Sequence, residues 1–463
     1  MQPSHSVNAA DHGFLPGNSG TANAASLQAL VDCGGTIVID KPGIYDLSDT
    51  IVLSDDTALC FGAGVYVRRA LSEDGAQRQG YVFVNRGAYS RAWNHDISIT
   101  GLRLITSGMD PAGSAGARLV TGLNAHLAFF YMRNLIIRDF ELMDLGPHGF
   151  GIQICTFENA LLENLHIEGM KDAVHFGKGS KFVVRHGIFR TFDDPIALNA
   201  NDYSTSNPQM GWIEDGLIED CYDLDQPETT GFFCRILAGS WLDWRAGMEV
   251  QHSDSVISEG RLYRVVMQPD GAHYISRTRP THADGAMVLD GINWVMVQDD
   301  DPIYNCGCRN IHFRDIFLEK HRPVAFAIHF DHDNWSRSYY PGSEPPVQRD
   351  LIFENIHFGS EIPTLVIANT PVNVIKIVNS SIENSRIQLK CLPEVPYGKT
   401  HVLLSGNTLR GRGAQPLLEC RSGRTATLNV TGSIVESDDL QPSVIGAVQI
   451  TSSDIPLSIG TTD

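Results

Sequence analysis

Short segments of alternating apolar and polar residues recur along most of this 463-residue chain, and no other feature restricts its fold as much. Residues 134–140 and 159–167 open on an Asn-X-aliphatic signature, and 181–189 and 211–218 follow the same pattern. After an interval it resumes at 309–316 and 350–358, then weakens through 373–377 and 403–407. The spacing is roughly 22 to 29 residues, the window in which repeats build solenoids. Period-two alternation with β-branched residues makes each repeat a supplier of strands. One coil cannot bury its own apolar face. Stacked coils can, and parallel ladders then complete the backbone hydrogen bonds. The expected fold is all-β: a right-handed parallel β-helix. A propeller needs repeats nearly twice as long.

Residues 24–31 read as a short helix, followed by strands at 34–39 and 42–45, an opening that would cap the first coil and block end-to-end strand pairing. The tail beyond Ser433 is polar and is expected to cap the other end. Residues 241–298 break the period and hold Trp241, Trp244 and Trp294, three of the six tryptophans. They read as a small inserted antiparallel β module between an N-terminal helix part, 1–240, and a C-terminal part, 299–463. Its tryptophans are expected as core, with a sugar-stacking flap as the functional alternative.

The formal net charge of −19 disfavours nucleic acid and anionic membranes as partners. No stretch reaches the length of a membrane span. No secretory signal is visible after Met1, so the expectation is a cytoplasmic protein or one whose leader has been trimmed. Nine cysteines without paired spacing read as thiols rather than a disulfide framework. Cys306-Gly307-Cys308 lacks the second pair that a zinc clip needs.

Chemistry concentrates at Asp172 and at the adjacent pair Asp193 and Asp194, about one repeat later. A solenoid can bring these three carboxyl groups together. Like charges a few ångströms apart cannot all ionise freely, so such a cluster supplies an acid and a base at neutral pH. That is the minimum equipment for glycosidic cleavage. The plainer reading is a set of turn-forming aspartates.

The spacing of these aspartates, with the stacked Asn-X-aliphatic coils and the opening at residues 7–13, 33–35 and 42–45, resembles the polygalacturonase-type glycoside hydrolases of family 28 and their β-helical relatives. The resemblance implies that Asp193 is the general acid, that Asp172 and Asp194 hold and deprotonate the attacking water, and that the reaction inverts the anomeric centre. Two departures stand out. Where the family has Gly-His-Gly after the pair, this chain has 231–235, ending in Arg235 without a histidine. Where galacturonan-cleaving members carry Arg-Ile-Lys, this chain has 327–334, with His329 and Asp331 in place of the basic pair. The latter substitution points to a neutral or non-uronic glycan.

Further candidate substrate contacts are His148, Gln153, His175, Asn199, Asn201, Arg235, His329, Asp331, Asp333 and Trp335. Asn199 and Asn201 alternate with apolar neighbours and equally suit an internal asparagine ladder. His329, Asp331 and Asp333 share one face if their segment is a strand, with His332 on the other. Recognition of sugar hydroxyls suits them better than metal binding, and neither a metal nor any other cofactor is expected. The expected partner is an oligo- or polysaccharide, and the sequence is compatible with a homo-oligomer. Two competing readings are a polysaccharide lyase, which would need a basic cluster for uronic substrates, and a non-catalytic, tail-spike-like glycan binder.

Overall fold

The computed structural model describes residues 6–111, 119–203, 206–299, 303–333, 336–411, 415–436 and 442–460. They fall into two compact units, Met1–Ala197 with Asp215–Gly231, and Leu198–Glu214 with Phe232–Asp463. The fold is a right-handed parallel β-helix, the hand that parallel crossover connections nearly always take.

Six coils are each shaped by a pair of left-handed residues five positions apart. Asn134 and Asp139 both have positive φ, as do Asn159 and Asn164, Lys181 and His186, Asp215 and Asp220, Asn310 and Asp315, and Asp350 and Asn355. Asn and Asp tolerate this conformation better than other non-glycine residues because their short polar side chains bond locally. The corner also resets the alternation. After Asn134, Leu135 and Ile137 point inward; after Asp139, Phe140 and Leu142 do. The Asn-X-aliphatic signature is therefore the turn itself plus the first core residue behind it.

In the first unit one wall runs Gly35–Ile39, Thr57–Phe61, Asn94–Thr100, Ala125–Leu145, Phe150–Gly169 and Gly179–Thr191, every pair parallel. A second wall joins Gly43–Leu47, Val65–Arg69 and Arg103–Ile105. A third joins Ile51–Leu53, Phe83–Asn85 and then Ala125–Leu145, Phe150–Gly169 and Val174–Phe176. The corners stack as well. Asn159 Nδ2 donates to Asn134 Oδ1 at 3.1 Å, and Asn164 Nδ2 to Asp139 Oδ1 at 2.6 Å. The helix Gly20–Val31, capped by Ser19, covers the start of the stack as expected. Gln28 pairs its amide with both the N–H and the C=O of Val52, imitating the strand that would otherwise add there.

The second unit repeats the design. One wall runs Cys308–Leu318, Arg349–Phe358, Val374–Val378, Lys399–Ser405, Thr425–Thr431 and Val448–Ser453. Another runs Cys234–Leu237, Val324–His329, Thr364–Ala368, Arg386–Leu389, Leu418–Cys420, Ser443–Gly446 and Ser458–Gly460. Phe313 and Phe353 stack inside it, ring centroids 5.3 Å apart. The tail does not cap the stack as expected; beyond Ser433 it continues the coils, because Val444, Val448 and Ile450 keep the alternation in register.

Residues 242–298 form a five-stranded sheet of their own plus a two-stranded ribbon. Most pairs are antiparallel, but Leu242–Asp243 runs parallel to Ser255–Ser258. Trp244 and Trp294 are buried in its core with Met248, Tyr263 and Ile292, and Trp241 is buried too. This is the packing role, not a sugar platform. All nine cysteines are free, six of them buried.

Candidate active site

The strand Phe150–Gly169 ends at a glycine, and the chain turns through Lys171 and Asp172 before the strand Val174–Phe176. One coil on, Gly179–Thr191 ends and the chain turns through Asp193 and Asp194. The ladder passes through both turns. Gly151 N–H donates to Asp172 C=O at 3.0 Å, and Ala173 N–H donates to Asp194 C=O at 3.1 Å. Parallel stacking therefore superimposes the two turns, and carboxylate oxygens of Asp172, Asp193 and Asp194 lie within 4.8 Å of one another. Asp172 and Asp194 are buried, at 3% and 2% exposure, whereas the side chain of Asp193 is 23% exposed. Of the three, Asp193 is the one whose side chain reaches solvent, beside the part-exposed Lys171.

Gly231 closes the cluster from the next coil. A Cβ there would stand 2.6 Å from the Asp193 carbonyl carbon and 2.6 Å from Asp194 Oδ1. Only glycine lets the backbone approach this near.

Two side chains condition the carboxylates. Lys171 Nζ pairs with Asp193 and lies 3.7 Å from Asp172 Oδ1, above the Phe150 ring. Burial alone would lower the Lys171 ammonium, but Asp172 and Asp193 hold it well above the usual lysine range. His175, fully enclosed, places Nδ1 2.9 Å from Asp172 Oδ2 and stacks on Phe150 at 4.1 Å. Lys171, which adjoins Asp172 in the sequence, is a neighbour of the cluster that residue patterning did not single out. Its only signal was the charge beside an aspartate.

The other expected contacts are distributed unevenly. His148 is exposed in the turn before Phe150–Gly169. Gln153 is buried, accepting from Asn124 N–H at 2.6 Å and donating to Gly122 C=O at 3.0 Å. Asn199 and Asn201 are buried as well. Asn199 donates to Asp202, and Asn201 bridges Met210 and Arg264. The Asn201 amide is engaged at both atoms, whereas Asn199 is engaged through Nδ2 and its Oδ1 is buried without a partner among the described residues.

In the second unit, Arg235 Nη2 reaches both oxygens of Asp331, at 2.9 and 2.8 Å, and His329 Nε2 lies 3.2 Å from Asp331 Oδ1. The strand ends at His329, so the face alternation expected for Asp331 and Asp333 does not apply. Both contacts of Arg235 compensate the charge of Asp331. Asp333 is exposed and caps Ser336, and Trp335 lies outside the described residues.

No protein-family model and no curated protein matches this chain. Solved structures share its fold. A family 28 exopolygalacturonase from Yersinia enterocolitica aligns with a TM-score of 0.51 at 12% identity, covering 99% of this chain and 77% of that one. The catalytic unit of an α-1,3-glucanase of family GH87 from Streptomyces thermodiastaticus aligns at 0.48 and 10%, covering 95% and 71%. A hyperthermoactive exopolygalacturonase from Thermotoga maritima aligns at 0.46 and 10%, covering 99% and 93%. At these identities the likeness is one of fold, and the class it defines is the parallel β-helix proteins.

Proposed function

We propose that this protein is a glycan-acting enzyme, a glycoside hydrolase that uses Asp172, Asp193 and Asp194. The observation that carries the reading is the convergence of three carboxylates from two successive turns within 4.8 Å. The coil it shares with a family 28 exopolygalacturonase is in keeping with it. Asp193, the most exposed of the three, is the acid that protonates the leaving glycosidic oxygen. Asp172 and Asp194 hold and deprotonate the attacking water, and His175 keeps Asp172 in place. Lys171 favours the ionised form of Asp193, so the substrate must displace its ammonium before Asp193 can donate. Three carboxylates against one ammonium leave the site negative, which disfavours a uronate ring and favours an uncharged sugar at the scissile bond.

A second reading concerns stereochemistry. Inverting pairs usually stand about 6.5–9.5 Å apart to seat a water, and retaining pairs about 5–5.5 Å. The tight approach of the three carboxylates favours direct attack by one of them. Proton NMR of the first-formed product decides. The inverted anomer supports water activation by Asp172 and Asp194, and the retained anomer assigns one of them as nucleophile. Turnover by Asp193→Asn at the wild-type rate would remove Asp193 as the general acid.

A further inference from the structure

We propose that His329 is the hydroxyl acceptor of a sugar subsite in the cleft of the second unit, its imidazole proton held on Nε2 by Asp331 so that Nδ1 accepts from the ligand. This rests on the glycan-acting reading above and assigns to that reading a specific atom. The cleft has a volume of about 390 Å³. The half-buried Ile367 and Leu392 give it an apolar lining, while His329 and the exposed Lys390 supply polar groups. An apolar lining with a few placed polar groups suits one face of a pyranose ring and its equatorial hydroxyls.

The proton assignment follows from Asp331. Burial alone would raise its carboxyl, but Arg235 and His329 together hold it far below the ordinary carboxylate range. An ionised carboxylate only accepts hydrogen bonds. Nε2 of His329, 3.2 Å from Asp331 Oδ1, therefore carries a proton, which leaves Nδ1 as the atom on which a neutral ring has its lone pair. Among the described residues Nδ1 has no hydrogen-bond partner. Phe232 packs edge-on against the imidazole at 5.7 Å and fixes its plane. Asp331 is anchored in turn by both contacts to Arg235 and by Ser338 Oγ, which accepts from its N–H at 2.9 Å. Asp331 and Arg235 are thus positioning residues, and His329 makes the contact.

The test uses the full chain labelled with ¹⁵N at histidine, read at pH 8 by long-range proton–nitrogen correlation and assigned through His329→Gln. The expected signature is a neutral Nε2–H ring, converted towards Nδ1–H by Asp331→Asn, whose amide can donate to Nε2. A wild-type ring protonated on Nδ1 overturns the proposal without any ligand. Neutral oligosaccharides of four to eight units from amylose, laminarin and dextran are then added to the Asp193→Asn protein. The Nδ1 resonance should move with at least one of them. His329→Asn, which offers an oxygen near the place of Nδ1, should bind that probe within about threefold of the parent, and His329→Gln about tenfold more weakly. Equal losses in both, or no shift with any probe, overturn the subsite. Binding by the wild type without turnover sinks the hydrolase reading alone.

Discussion

Nδ1 of His175 lies 2.9 Å from Oδ2 of Asp172, and the same imidazole is stacked on Phe150. Both partners are enclosed, so the histidine stands where water would otherwise solvate the carboxylate. His175→Phe keeps the stack and removes the hydrogen bond. Losing one hydrogen bond to a buried acceptor that keeps its other contacts costs about 0.5–1.5 kcal/mol. We expect a urea midpoint lowered accordingly and a kcat that falls more than KM changes. An unchanged midpoint would show that Asp172 does not depend on this contact.

Asp193→Asn preserves shape and abolishes proton donation. General acid catalysis contributes about 10²–10⁴-fold, and turnover should fall by that range while circular dichroism and the Tm stay close to wild type. A collapsed Tm would instead make Asp193 a structural partner of Lys171.

Lys171→Met deletes the ammonium that opposes protonation of Asp193. Without it the acid of the free enzyme keeps its proton to higher pH, so the basic limb of the kcat/KM profile should move upward. A downward movement, or none, would mean that Lys171 is not the group controlling the acid.

Asp331 is held below the ordinary carboxylate range in spite of burial, because Arg235 and His329 face it. A group depressed on folding contributes stability above its unfolded value, about 3.9, and that stability is lost as pH falls through the folded value. Arg235→Met leaves the buried carboxylate uncompensated, a loss of about 3–5 kcal/mol. The loss should be greatest at neutral pH and shrink on acidification, when Asp331 can take a proton. Denaturant melts at several pH values read this directly.

Asn164 adopts positive φ and donates to Asp139 in the corner below it. Asn164→Gly should be tolerated, whereas Asn164→Val forces a β-branched residue into the left-handed region at about 1–2 kcal/mol. Equal Tm values for the two variants would mean that the corner conformation is not what selects Asn.

The sequence by itself determined the coil. Leu135, Ile137, Phe140 and Leu142 alternate around Asp139, and a corner is a local property of one residue's backbone and its neighbours, so periodicity carries it. Asp172, Asp193 and Asp194 were equally visible, because one repeat of separation in the chain becomes one step of stacking. What only the tertiary structure decided is who stands against whom. Lys171 on Asp193, Gly231 beneath the pair, Gln153 engaged by Asn124, and Arg235 compensating Asp331 across 96 residues all depend on which side chains face each other between coils. A hydrophobic period records that a residue points in or out. Charge compensation and close approach are set by the neighbouring coil, and no local pattern encodes its identity.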